Sequence, residues 1–269
     1  MPIHILTLAS FLAQPAAALP ANGAIAAPHG EEQVPIWLIL PPGYTGDIPR
    51  PLILFFHGRG YGTTAANTNM LKDEFSTFRR KAGDLGYIMA GVATGPNTWM
   101  NEIARKRTDA ALAYLQANLN VNPDRVYTMG VSMGGGAALT YAKHRPAQVA
   151  AVVDFMGATD FARFYHAGFY NESLAGAFGG TVYDARATYD AQSAVVDPEM
   201  LKTVPVLIVH GDQDTVIPAW NATLLWEAVQ PLNNGSELVL RAGMGHTNEI
   251  VMGIEDRILN FLEKHPGLP

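Results

Sequence analysis

A serine flanked by glycines is the feature of this sequence that most directly indicates chemistry. It reads Gly130-Val131-Ser132-Met133-Gly134, and it falls where an apolar strand pattern ends and a helical pattern begins. In such a tight turn, side chains two positions either side of the serine would collide with neighbouring backbone. The turn would hold the Ser132 hydroxyl beside a helix N-terminus, whose amides favour developing negative charge. We therefore predict that Ser132 is a nucleophile.

A serine hydroxyl needs a base within hydrogen-bond reach, and the base needs a carboxylate to orient it. His246 stands in a glycine-flanked loop between the last predicted strand and the last predicted helix, which places it at the same sheet edge as Ser132. Asp212 and Asp214 both follow the strand predicted at 204–209. Asp214 is the predicted acid, whereas Asp212, nearer the strand end, is expected to stabilise its own loop as an Asx turn.

Two backbone N–H groups are predicted to bind the oxyanion that forms during attack. One belongs to Met133, directly after the nucleophile, and the other to the loop after the strand at 52–56. We assign the second donor to Arg59, with Gly60 as the near alternative. His57 is expected to brace this loop rather than to take part in catalysis.

Alternating strand and helix patterns position these residues. Short apolar runs separated by amphipathic stretches predict right-handed crossovers and an α/β fold with a mostly parallel sheet and helices on both faces. The predicted strands are 34–40, 52–56, 87–93, 125–131, 149–156, 204–209 and 237–240. The predicted helices are 69–85, 101–119, 133–144, 219–230 and 248–263.

A long stretch at about 159–196 interrupts this alternation. It separates two strands by more than one crossover helix requires, and residues 155–189 hold nine phenylalanines and tyrosines. Such an excursion is typical of a lid or a binding element. We expect Trp99, Phe161, Phe164 and Tyr165 to contact the substrate. The alternative is that these aromatic residues form a small core of their own.

Composition excludes several other classes of protein. The 269 residues carry a net charge of −6 and include no cysteine. The acidic balance makes nucleic acid an unsuitable partner, and the lack of cysteine excludes disulfides and thiolate metal sites. No metal-binding or phosphate-binding motif occurs, so neither a metal nor a cofactor is expected.

The N-terminal residues 3–18 form an apolar segment that ends in small residues. No lysine or arginine precedes Arg50, so the basic region of a signal peptide is missing, and we expect an ordered first strand here. No apolar run is long enough for a membrane span. The oligomeric state and the compartment are not assigned from the sequence.

These motifs resemble the α/β-hydrolase superfamily, from Val34 to about Leu262. The segments that carry the resemblance to its bacterial esterase branch are Pro41–Tyr44, Pro123–Tyr127, Gly130–Gly135 and His210–Pro218. That branch includes feruloyl esterases, polyhydroxybutyrate-depolymerase-like esterases and the catalytic domain of prolyl-oligopeptidase-like peptidases. The oxyanion loop reads His-Gly-Arg-Gly here, and not the His-Gly-Gly-Gly of hormone-sensitive-lipase-like esterases.

The resemblance implies a single α/β-hydrolase domain over residues 1–269, with a short aromatic-rich lid insertion at about 159–196. It implies a serine hydrolase that cleaves carboxylic esters of small to medium or aromatic acyl groups, of feruloyl or polyester type, in small-molecule or polymeric substrates through an acyl-enzyme. The alternative is a small serine peptidase, which would hold a substrate amine with paired glutamates. The 155–189 segment contains only Glu172, and this count favours the esterase.

Overall fold

Strands and helices alternate along the chain as the hydrophobic pattern predicts. The computed structural model describes residues 22–267. Eight strands form one sheet: β1 (Asn22–His29), β2 (Glu32–Ile39), β3 (Arg50–Phe56), β4 (Ile88–Val92), β5 (Val121–Val131), β6 (Ala151–Phe155), β7 (Val206–Gly211) and β8 (Glu237–Arg241).

The strand order in the sheet is β1-β2-β4-β3-β5-β6-β7-β8. β1, β2 and β4 pair antiparallel, and all pairings from β4 through β3 to β8 are parallel. The carboxyl ends of the parallel strands therefore meet at one edge of the sheet, where functional loops collect in open α/β sheets. β3, β4, β6 and β7 are almost completely buried, as expected for strands covered on both faces.

Helices cover the two faces of the sheet. The helices that follow the strands are α1 (Ser76–Asp84), α2 (Glu102–Asn118), α3 (Met133–His144), α7 (Trp220–Val229) and α8 (Glu255–Lys264). Apolar residues of α2, α3 and α7 share one buried cluster with the sheet, and those of α1 and α8 share the other. This arrangement is the mostly parallel α/β architecture that the sequence predicted.

Three short helices fill the stretch between β6 and β7. They are α4 (Phe161–His166), α5 (Asn171–Phe178) and α6 (Arg186–Gln192), and we call them the α4–α6 insertion. Their buried side chains pack with Trp99 and Ile217 in a third cluster, separate from the two that flank the sheet. The insertion is therefore built around a small core of its own.

The structure differs from the sequence predictions mainly at element ends. β1 was not predicted, because most of its residues are only half-buried or exposed, as suits an edge strand. The segment predicted as one helix at 69–85 begins with two short 3-10 turns, and the helix predicted at 248–263 also begins with one. The apolar segment at 3–18, expected as a first strand, lies outside the described residues.

Candidate active site

The turn between β5 and α3 holds Ser132 in a strained backbone conformation. Its φ is 61° and its ψ is −122°, values that an ordinary L-residue rarely adopts. Strain of this kind persists only where the surrounding structure enforces it, and it concentrates at functional sites. The predicted tight turn therefore exists, with the serine at its apex.

Close backbone contacts explain the two glycines around this serine. A Cβ on Gly130 would lie 2.2 Å from the carbonyl oxygen of Gly134, and a Cβ on Gly134 would lie 2.1 Å from the carbonyl oxygen of Phe56. Neither backbone atom can move without shifting α3 or β3. Glycine is therefore required at both positions by packing.

Ser132, His246 and Asp214 form a continuous row of hydrogen bonds. The Ser132 hydroxyl lies 2.8 Å from Nε2 of His246, and Nδ1 of the same imidazole lies 2.6 Å from Oδ2 of Asp214. An ionised carboxylate can only accept, so Nδ1 carries a proton and donates to Asp214, leaving Nε2 to accept from the serine hydroxyl. The structure thus brings together three residues that are widely separated in the chain.

Hydrogen bonds fix the Asp214 carboxylate from several sides. Its Oδ1 accepts from the backbone N–H groups of Val216 at 2.8 Å and Ile217 at 2.9 Å. Burial alone would favour the neutral acid. The hydrogen bonds from His210, His246 and Ile217 outweigh that effect and hold the pKa of Asp214 well below its usual range. The carboxylate is therefore ionised at neutral pH.

Asp212 has a different role from Asp214. Its Oδ1 accepts the backbone N–H of Gly243 at 2.7 Å, and thereby ties the loop after β7 to the loop that carries His246. The two loops are also joined by the bond from Gln213 N–H to Met244 O, at 2.9 Å. Asp212 thus stabilises loops, as expected, although it does so across two loops rather than within one.

The loop after β3 presents one uncommitted backbone N–H near Ser132. The Gly60 N–H donates to Pro96 O at 2.7 Å, and the Gly58 N–H donates to the side chain of Asn69 at 2.7 Å. The Arg59 N–H has no acceptor among the described residues, and neither does the N–H of Met133 at the start of α3. Of the two candidates in the loop, Arg59 is therefore the one left free to bind an oxyanion.

His57 braces this loop from below, as the sequence suggested. Its side chain is buried, and Nδ1 donates to Gly58 O at 2.9 Å while Nε2 accepts from Thr94 N–H at 3.3 Å. Burial lowers the pKa of His57, so the ring is neutral, and its hydrogen bonds hold the loop in place. It lies so close to Gly62 that any side chain there would overlap the imidazole.

A shallow cleft of about 260 Å³ opens over Ser132 and His246. Its lining also contains Arg59 and two tyrosines, Tyr61 and Tyr170. The rest of the lining consists of Gly58, Asn69, Val131, Met156, Val216, Thr247 and Asn248. The volume lies below the usual range for sites that enclose drug-sized ligands, so the cleft fits a small group.

Asn69 joins the two sides of the cleft. Its Oδ1 accepts the Gly58 N–H, and its Nδ2 donates to Oδ1 of Asn248 at 3.2 Å, two residues after His246. The loop after β3 and the loop that carries His246 are therefore connected through one side chain. Sequence reasoning missed Asn69, because its role depends on a contact between residues far apart in the chain.

The predicted substrate contacts of the aromatic residues are not found, because none of the four lines the cleft. Trp99, Phe161 and Phe164 are at most 1% exposed and pack against one another in the core of the α4–α6 insertion. Tyr165 packs edge-on against Tyr189 in the same insertion and does not line the cleft. Their apolar surface is better buried in that core than spread along a binding wall. Tyr170 is the aromatic residue of the insertion that reaches the cleft.

Two further titratable residues are buried behind the site. His210 Nε2 lies 2.7 Å from Ile217 O and 3.5 Å from Asp214 Oδ2, so this nitrogen donates toward two acceptors. Asp154 accepts the Gly157 N–H at 2.8 Å, while its other oxygen, like Nδ1 of His210, has no partner among the described residues. Complete burial raises the pKa of Asp154 to about 7, although His210 and the Gly157 N–H act in the opposite direction.

The sheet order and the strained serine turn define the class of protein: an α/β-hydrolase. Solved structures agree. Porphyromonas gingivalis dipeptidyl peptidase 4 is similar with a TM-score of 0.71 and 16% identity, over 91% of this chain and 35% of that one. An S-formylglutathione hydrolase from Agrobacterium tumefaciens has a TM-score of 0.72 and 17% identity, over 91% of this chain and 95% of that one.

Within that class, residues 101–268 match the model of the prolyl oligopeptidase family, so the chain belongs to this family. The match covers more than half of the sequence and includes Ser132, Asp214 and His246. Together with the structural neighbours, it identifies a serine hydrolase.

The chain also resembles a curated protein, the uncharacterized protein YfhR of Salmonella typhi. The two are 30% identical over 118 residues, which cover 41% of this chain and 37% of that protein. The matched region thus spans little more than a third of this relative. Within residues 22–267, no helix is long and apolar enough to cross a bilayer, and no group of His, Asp and Glu residues is arranged to hold a metal ion.

Proposed function

We propose that this protein hydrolyses carboxylic esters through an acyl-enzyme, with Ser132 as nucleophile, His246 as base and Asp214 as the acid that orients it. The observation that carries the proposal is the hydrogen-bonded row, 2.8 Å from Ser132 to His246 and 2.6 Å from His246 to Asp214. These distances match the reach required of a nucleophile and its base. The strained turn supports the same roles by exposing the hydroxyl to the cleft.

The chemistry follows from this arrangement. His246 takes the Ser132 proton as the oxygen attacks the ester carbonyl, and the developing oxyanion is bound by the N–H groups of Met133 and Arg59. Each such donor lowers the barrier by on the order of 3 kcal/mol. His246 then returns the proton to the leaving alcohol, and a water molecule activated by the same histidine releases the acid.

The second candidate is a serine peptidase, and family membership is the observation that favours it. A peptidase that captures a substrate amine terminus needs carboxylates in its binding site. The described residues lining the cleft include no aspartate or glutamate, and Glu172 is exposed outside it. The small cleft and its lack of acidic lining support the ester as substrate.

Labelling with a fluorophosphonate tests the nucleophile directly. We expect covalent modification of Ser132 in the folded protein, loss of labelling and at least about 10⁴-fold lower ester hydrolysis in Ser132→Ala, and a nearly unchanged melting temperature. Ser76→Ala, which alters an exposed serine at the start of α1, is the matched control and should retain both labelling and turnover.

A substrate panel separates the two candidate reactions. It contains 4-nitrophenyl esters of increasing acyl length, methyl ferulate and an aminoacyl 4-nitroanilide. We expect short esters to be turned over much faster than the anilide. Faster cleavage of the anilide would establish the peptidase, and a folded protein that neither reacts with fluorophosphonate nor turns over any substrate would refute both.

A further inference from the structure

The cleft over Ser132 carries positive charge and no negative charge in its lining. Arg59 lines the cleft with an exposed side chain, and no carboxylate among the described residues lies within salt-bridge distance of its guanidinium. A second cation, Lys72, lies 5.6 Å from the ring centre of Tyr61, which also lines the cleft. This local charge contrasts with the net charge of −6 of the whole chain.

Arg59 does not extend freely into solvent, because Tyr170 supports it. The guanidinium carbon lies 4.7 Å from the centre of the Tyr170 ring, in cation–π geometry. A guanidinium stacked in this way keeps its N–H groups free at its edges, where they can bind a carboxylate in a bidentate manner.

Tyr170 is in turn fixed by the core of the α4–α6 insertion. Its ring centre lies 5.7 Å from that of Trp99 and 6.0 Å from that of Phe164. Its backbone has a φ of 53°, an unfavourable value for an aromatic residue that the surrounding packing must enforce. Ser132 and Met156, which also line the cleft, have positive φ as well. Three non-glycine residues with positive φ, namely Tyr170, Ser132 and Met156, therefore line this cleft.

We propose that the Arg59 side chain, held on Tyr170, binds a carboxylate in the acyl part of the substrate. The preferred substrates are then half-esters of short dicarboxylic acids. The acyl side is favoured because the backbone N–H of the same residue is the proposed oxyanion donor, so the guanidinium is tethered within one side chain's length of the reacting carbonyl. This inference rests on the proposed ester hydrolysis, and it narrows the substrate class of the same site.

The test compares two esters of nearly the same shape. One is the 4-nitrophenyl half-ester of glutaric acid, and the other is 4-nitrophenyl 5-methylhexanoate, in which an isopropyl group replaces the carboxylate. The measured quantity is the ratio of their kcat/KM values. We expect the wild-type protein to prefer the anionic ester at least about tenfold, since charge-assisted bidentate hydrogen bonds discriminate by that much.

Arg59→Gln should reduce this ratio to about one, and Arg59→Lys should retain part of the preference because it keeps the charge without the bidentate geometry. The matched control is Arg163→Gln. Arg163 is exposed and is stacked at the same 4.7 Å, on Trp220, but it does not line the cleft, so its loss should leave the ratio unchanged.

The outcomes separate this inference from the proposed function. Turnover of neither ester by wild-type protein would overturn the ester hydrolase itself. Turnover of the neutral ester with no preference for the anionic one would overturn the role of Arg59 alone. An equal fall of the ratio in Arg59→Gln and Arg163→Gln would show a general effect of charge, and would likewise overturn a specific site.

Discussion

Two aspartates separated by one residue make different contacts, and they illustrate how function is set at the scale of a single residue. Asp214 is buried and receives hydrogen bonds from His246 and from two backbone N–H groups. Asp212 instead accepts one backbone N–H from a neighbouring loop. The chemistry of the side chain is the same, so the difference in role comes entirely from what each carboxylate touches.

We predict that Asp214→Asn lowers kcat for ester hydrolysis by about 10³–10⁴-fold, because the amide would stabilise the wrong tautomer of His246 and could not stabilise its positive charge. Asp212→Asn should lower kcat less than about tenfold, since the amide oxygen can still accept the Gly243 N–H. Steady-state kinetics on a 4-nitrophenyl ester measures both. A larger loss in Asp212→Asn than in Asp214→Asn would contradict the assignment of the acid.

Functional residues can be predicted from the sequence only where their type and their spacing from neighbouring residues or strands identify them. Ser132 is marked by its flanking glycines, and His246 and Asp214 by their places after predicted strands. Asn69, Tyr170 and His210 carry no such signal, because their roles come from contacts between distant segments. The excess of aromatic residues in the insertion was visible in the sequence. Composition does not show which rings are buried in the core of the insertion, so the prediction that Trp99 contacts the substrate was wrong.

At the scale of secondary-structure elements, α3 can approach β3 closely because Gly134 has no side chain. We predict that Gly134→Ala destabilises the protein by about 3 kcal/mol or more, because its Cβ would lie 2.1 Å from the Phe56 carbonyl oxygen and would push the two elements apart. Chemical denaturation followed by circular dichroism measures this change.

Gly176→Ala is the matched control for that substitution. Gly176 lies within α5, its φ is not in the left-handed region, and a Cβ there would meet nothing within 4 Å. We expect stabilisation by about 0.5–1 kcal/mol, because alanine loses less backbone entropy than glycine on forming a helix. Similar losses of stability in both variants would show that the α3–β3 contact is not the cause.

The presence and type of the helices and strands were predicted better than the residues at which they begin and end. Continuous apolar runs such as that of β3 indicate strands buried on both faces, and these were found. β1 has no such run, and it joins the sheet through an antiparallel hairpin with β2. The 3-10 turns before α1 and α8 follow the paths of loops that tertiary contacts fix, so local propensity does not reveal them.

At the scale of the whole molecule, a buried carboxylic acid links stability to pH. The pKa of Asp154 is raised by burial to about 7, against an ordinary value of about 3.9. Between these two pKa values, Asp154 keeps its proton in the folded protein but has lost it in the unfolded chain. Stability from this residue falls as pH rises through that window, because the folded state must either keep the proton or bury a charge.

We predict that Asp154→Asn removes this dependence, since the amide does not titrate and its oxygen can still accept the Gly157 N–H. The variant should gain stability relative to wild type by about 2 kcal/mol more at pH 8 than at pH 5. Urea unfolding of both proteins across this range measures the difference, and titrating groups that do not interact with Asp154 cancel in the comparison. Parallel stability curves would show that Asp154 is not the titrating group.

The hydrogen-bonded row and the α4–α6 insertion lie after different strands of the sheet. Ser132, Asp214 and His246 follow β5, β7 and β8, while the α4–α6 insertion follows β6 and supplies none of these three side chains. A substitution in the insertion can therefore reshape its part of the cleft wall, at Tyr170, without replacing any of these three hydrogen-bonded residues. Variation in the length or sequence of this insertion is thus compatible with an unchanged hydrogen-bonded row of Ser132, His246 and Asp214.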